Sequence, residues 1–186
     1  TTLTATGAPK TVTYTVQVKD ANGCTATDTT FVTVNPEVVI NALADTVINS
    51  GTVVPAKFFT TLLTGGVMTY SWTRTNSDVV TGMDATGTGN VPGATLYNNT
   101  NTAKTTTITV TPTFTANGIS CVGATVSYTI TVNPTVVMEE VENQVICHGS
   151  EIELVTFGTT ITDATSFVYN WVRTNTANVT GLTETG

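Results

Sequence analysis

Cys147 and His148 stand side by side, and they are the residues of this chain best suited to do chemistry. A thiolate next to an imidazole can act as a nucleophile, or it can supply two ligands of a zinc site. The whole chain holds three Cys and one His. Zinc needs four ligands at workable spacings, and no other soft group lies near this pair. A Cys–His nucleophile needs a third group to orient the base, and none is identifiable. A Ser/His/Asp set is excluded over residues 36–134, which contain no His. Carboxylates remain. Glu139, Glu140 and Glu142 cluster, and they read as a solvated or calcium-attracting edge rather than an acid–base pair. Calcium at a domain junction would draw on Glu37, Asp45, Glu139, Glu140 and Glu142. The expectation is no catalytic residue, no cofactor-binding residue and no metal site, with junction calcium as the exception to test.

Composition narrows the class further. The net charge is −7, with six Lys and Arg in 186 residues. Those cations are scattered, so the phosphate contacts of a nucleic-acid partner are excluded. Thr makes up roughly a quarter of the residues, far above ordinary usage. Thr is β-branched and polar, which suits the wet face of a strand. No apolar run is long enough to span a bilayer as a helix.

The elements that would position any site repeat along the chain. "YSWTRTN" (Tyr70–Asn76) returns as "YNWVRTN" (Tyr169–Asn175), with the tryptophans 171 − 72 = 99 residues apart. "VTVNP" (Val32–Pro36) returns as "ITVNP" (Ile130–Pro134), the prolines 134 − 36 = 98 apart. "VINSG" (Val47–Gly51) returns as "VICHG" (Val145–Gly149), and "ANGC" (Ala21–Cys24) is similar to "ANGISC" (Ala116–Cys121). One unit therefore recurs. Residues 1–35 read as the closing strands of one copy, 36–134 as a complete copy, and 135–186 as the first half of a third. The two end pieces cannot close a core alone. They read as parts of a longer array, with head-to-tail complementation between molecules as the other arrangement.

Within the unit, apolar and polar residues alternate. Val12, Tyr14, Val16 and Val18 share one strand face; Ile108 and Val110 another; Val126, Tyr128, Ile130 and Val132 a third. Between such runs lie "TGG" (Thr64–Gly66), "ATGTGN" (Ala85–Asn90), "VPG" (Val91–Gly93) and "ANG" (Ala116–Gly118), all read as turns. The expected fold is all-β: immunoglobulin-like antiparallel β-sandwiches in tandem, end to end. Tyr70, Trp72 and Arg74 share a parity, so one strand face carries them, and Tyr169, Trp171 and Arg173 repeat the pattern. Trp72 is expected to fill the inter-sheet core, and Arg74 to lie at the rim with its head in water or on a carboxylate. Asn35-Pro36 and Asn133-Pro134 make stiff crossings between copies, which suits a rod.

The ordered set Y-x-W-x-R-T-N, "VTG", "GTGNVPGATLYN" (Gly87–Asn98), "ITVTP" (Ile108–Pro112), Cys-x-Gly and "YTITVNP" resembles the PKD-like, immunoglobulin-like repeats of giant Bacteroidota cell-surface proteins, including gliding-motility adhesins of the SprB type. The resemblance implies type IX secretion, an extracellular cell-surface location, and a stalk or adhesive role. Its implied partners are neighbouring repeats, surface polysaccharide and outer-membrane anchoring machinery. In such repeats a Cys near the second strand faces the Cys of the C-x-G element. Here Asn49 fills the first place and Cys121 the second, so no disulfide is expected inside that copy, and Cys24 and Cys147 also lack partners in their own pieces. The resemblance further implies O-glycosylation at Thr29 and Thr46, each preceded by Asp. The leading expectation is a structural stalk. The others are a glycan- or surface-binding module, for which Tyr97 is the main loop aromatic, and an accessory domain of a secreted enzyme.

Overall fold

The computed structural model describes residues 2–163, 166–174 and 177–181. Asn175, which ends the second copy of the repeated phrase, and residues 182–186 lie outside them. Eleven strands are present among the described residues, and no helix. In chain order they are β1 (Lys10–Lys19), β2 (Thr25–Val34), β3 (Thr46–Asn49), β4 (Thr52–Val54), β5 (Val67–Arg74) and β6 (Val80–Thr81). Then come β7 (Thr86–Thr88), β8 (Ala94–Asn98), β9 (Lys104–Ala116), β10 (Ile119–Val122) and β11 (Val126–Asn133).

Two sheets make the central sandwich. The larger runs β3-β11-β9-β5-β7, with β10 paired to the end of β9; the smaller runs β4-β8-β6. Neighbours are antiparallel except β3, which lies parallel to β11. Alternation places the core. In β9, Thr106, Ile108, Val110, Pro112, Phe114 and Ala116 are buried while the residues between them are half exposed. Trp72, Tyr128, Ile130 and Val132 join them from the larger sheet, and Val54, Val80 and Leu96 meet them from the smaller one. Ile40, Phe59 and Val91, from connecting segments, close the sides.

Pro112 sits inside β9, the central strand, where a missing N–H breaks a ladder. The partner strand answers with a bulge. Val122 lies opposite Thr113 and Val126 opposite Val110, so three residues, 123 to 125, oppose two. That is why β10 and β11 are separate. Gly123 at the bulge also has no room for a side chain, since a Cβ there would lie 2.4 Å from the Val38 carbonyl oxygen.

One turn reading needs correction. "ATGTGN" is not all turn: Thr86–Thr88 is β7, paired to β5 with Gly87 opposite Trp72. Its glycine is there because the indole lies against it; a Cβ on Gly87 would stand 2.3 Å from the ring. At the Asn-Pro crossing the chain enters the core directly. Pro36, Val38 and Ile40 are buried in alternation, and Val38 packs with Phe114 and Ala116 in a second small cluster.

The flanks differ from the sandwich. β1 and β2 form a separate hairpin in which Val12 faces Val32 across the strands. Asp20 shapes its turn by accepting the Asn22 and Cys24 N–H groups. The apolar face of the hairpin is uncovered, with Val16 65% exposed. Residues 137–163 hold no named strand; an isolated bridge joins Met138 and Thr159, and Gln144 makes reciprocal bonds with the Glu153 backbone.

Candidate functional site

The repeated Trp–Arg phrase lies on β5, between β9 and β7. Pairing on both sides fixes the alternation, so Tyr70, Trp72 and Arg74 point inward. Trp72 is 3% exposed, and Tyr70 stacks in a tilted contact on Phe59 with ring centroids 5.0 Å apart. Arg74 is 6% exposed, which corrects the rim position read from sequence. The segment after β5 turns back and surrounds the guanidinium with carbonyls. Nη1 donates to Val80 O at 2.7 Å, Nη2 to Met83 O at 2.5 Å and Nε to Asp84 O at 3.2 Å. Thr106 Oγ1 accepts a further bond from Nη1 at 3.4 Å. Burial pulls the guanidinium below its ordinary pKa, and the Asp84 charge opposes that. Four of the five guanidinium N–H donors are spent within the domain, three of them on carbonyls of the returning segment, so the fork fixes a loop.

Arg173 makes the matching first bond, Nη1 to Val179 O at 2.7 Å, again six residues on. Tyr169, Trp171 and Arg173 are half-buried. Trp171 and Arg173 border an apolar groove with Ile152, Leu154, Val155 and Phe157.

The groups weighed for chemistry are not brought together. Cys24, Cys147 and His148 are exposed, and Cys121 is half-buried. None of the three Cys is bridged. The implied facing of position 49 and Cys121 is overturned by the sheet. Asn49 pairs with Asn133 beside the Lys104 end of β9, while Cys121 lies opposite Phe114 near the other end. Ten residues of strand separate those levels, roughly 30 Å, so a Cys at 49 could not reach.

Of the calcium candidates, Asp45 is engaged, accepting the Thr129 N–H at 2.6 Å. Glu140 and Glu142 face Glu151 and Glu153 around a hollow in the third piece, away from Glu37 and Asp45 in the sequence copy before. No group of three His, Cys, Asp or Glu stands at metal-binding distances among the described residues. Thr29 is exposed on β2, and Thr46 is half-buried at the start of β3. Tyr97 is on strand β8, not in a loop, paired with Thr81; Phe58 and Phe157 are exposed aromatics outside strands.

Sequence reasoning missed the asparagines. Asn98 is 2% exposed; its Nδ2 donates to Thr102 O and Val132 O, and its Oδ1 accepts from Thr100. Asn76 Nδ2 donates to Thr105 O and Asn90 Oδ1 accepts the Phe59 N–H. Asn35 Nδ2 reaches Ala116 O and Ile119 O, each at 3.3 Å. The available signal was repetition: Asn76 and Asn35 stand in phrases the sequence spells twice.

The central unit is a two-sheet, immunoglobulin-like β-sandwich in which buried Arg74, Asn98 and Thr106 bond backbone carbonyls. The family model of the PKD-like domain matches residues 46–136, so this part of the chain is similar to a PKD-like domain. Such domains are typically non-catalytic and extracellular. No curated protein and no solved structure matches the chain. No helix among the described residues is long and apolar enough to cross a membrane.

Proposed function

We propose that this chain is a stalk segment of a large cell-surface adhesin or filament, exported by the type IX route and serving gliding motility or surface attachment. The observation that carries this reading is the crossing between copies. Pro36, Val38 and Ile40 are core residues of the complete domain, so one repeat runs directly into the next with no free linker residues between them. The sparse chemistry supports it as well: Arg74 and Asn98 spend their polar groups on backbone. The partners are then neighbouring repeats, with the anchoring machinery and any surface polysaccharide met by other parts of the protein.

Replacement in the cell that makes the protein tests this. The repeats are exchanged for unrelated immunoglobulin-like repeats of the same total length, and surface attachment is scored. A stalk role predicts that attachment is retained with length-matched repeats and lost when the segment is deleted. Loss in the length-matched exchange would make this a binding module instead.

A further inference from the structure

The repeat register brings two short segments into correspondence. Gly7 stands three residues before β1 and Asn101 three before β9, so residues 7–9 match 101–103. Thr64-Gly65 matches Thr162-Asp163 (162 − 64 = 98). The structure joins these segments in the same way twice. The Thr64 N–H donates to Gly7 O at 2.8 Å, and the Thr162 N–H donates to Asn101 O at 3.2 Å. The next positions meet too. Pro9 lies against Gly65, where a Cβ would be 3.1 Å from its ring, and the Ala103 N–H donates to the Asp163 carboxylate.

The chemistry of the second contact is exchanged as a pair. Pro has no N–H to offer and faces a residue with no side chain; Ala has an N–H and faces an acceptor. At the first junction a third attachment is visible. Asn35, the last residue before the crossing, pins the β9–β10 turn through Ala116 O and Ile119 O.

We propose that the loop at residues 61–66, and its counterpart in the next repeat, is a socket for the preceding repeat, and that the segment leading into β1 or β9 of that preceding repeat is the plug. A chain crossing alone is a single point about which neighbours can rotate. A plug beside it makes a second point and removes that rotation. This deepens the stalk reading, and it names the contact that sets the angle between successive domains.

The test uses the full chain in weak alignment and measures residual dipolar couplings of its backbone amides. The β1–β2 amides and the sandwich amides should fit one alignment tensor of equal magnitude. In the double variant Asn35→Ala/Thr64→Pro the hairpin couplings should fall by about half or more, while the sandwich couplings stay as they were. If Thr64→Pro disturbs the sandwich, Asn35→Ala alone should still lower the hairpin couplings. A separate, weaker tensor for the hairpin in the unaltered chain would overturn the socket, as would variants that leave the shared tensor intact. Either failure leaves the cell-based exchange unaffected, since a flexible tether can also hold an adhesin away from a surface.

Discussion

The phrase around Trp72 and the phrase around Trp171 are nearly the same in sequence and differ in what they achieve. In both, the arginine reaches the carbonyl six residues later at 2.7 Å. Only in the first is the tryptophan buried, in a strand paired on both edges. The arginine bond is therefore local: strand, turn and returning carbonyl lie within one short stretch. Burial of the indole is not local. It needs β9 on one side, β7 with its Gly87 on the other, and Val80 and Leu96 of the facing sheet.

The most direct way to break this comparison is to truncate each tryptophan. Trp72→Ala should lower the stability of the sandwich by about 3–5 kcal/mol, as loss of a large core side chain does. Trp171→Ala should leave the same unfolding transition within about 0.5 kcal/mol. Denaturant unfolding followed by far-ultraviolet circular dichroism reads both. Equal losses would show that the third piece is part of the sandwich's cooperative unit.

Arg74 sharpens the same contrast. Arg74→Met keeps much of the stem but orphans the carbonyls of Val80, Met83 and Asp84, with a cost of about 3 kcal/mol. Arg173→Met should not move the sandwich transition. A neutral Arg74→Met would mean that water replaces the guanidinium without loss, and that the loop is not held by it.

Much of the fold was legible because alternation is a one-dimensional signal. The faces of β9 and β11 can be counted off the sequence. What could not be counted was which turn-like residues serve packing. Gly87 looks like a turn glycine until the indole is placed on it. Arg74 looks like a rim residue until the 80–84 carbonyls close around it, and no pattern in the sequence says that they do.

Tyr128 gives a pH-dependent effect specific to the closed core. It is 1% exposed, its hydroxyl has no protein partner among the described residues, and burial pushes its pKa up to about 12. A raised pKa means that the stabilisation is complete below the unfolded value near 10 and is lost as pH rises toward 12. The sandwich should weaken over that range by about 2 kcal/mol, at 1.36 kcal/mol per unit. Tyr128→Phe should flatten the curve there and be neutral or slightly stabilising at pH 7, because it removes an unmatched buried hydroxyl. The same alkaline slope in Tyr128→Phe would assign the loss to other groups.

The smallest expected effect separates the two copies at their first strand. Asp45 extends the β3–β11 ladder by one residue, its carboxylate taking the Thr129 N–H just before Thr46 pairs with Ile130. The matching position in the third piece, 45 + 98 = 143, is Asn143. The Thr129 backbone bond, with a contribution from its side chain, holds the Asp45 carboxyl below its ordinary value, against a small opposing effect of burial. A depressed pKa stabilises the fold above the unfolded value of 3.8, and that contribution is lost as pH falls through the folded value. Asp45→Asn gives the complete domain the residue of the truncated one. An amide oxygen still accepts the bond but carries no charge, so stability at pH 7 should fall only slightly, and the gap between variant and parent should close below pH 3.8. Denaturation midpoints taken from pH 7 down to pH 2 show this directly. Curves that stay parallel through the acid range would mean that the Asp45 charge has no part in holding the sheet edge, and that Asp and Asn are interchangeable at this position of the repeat.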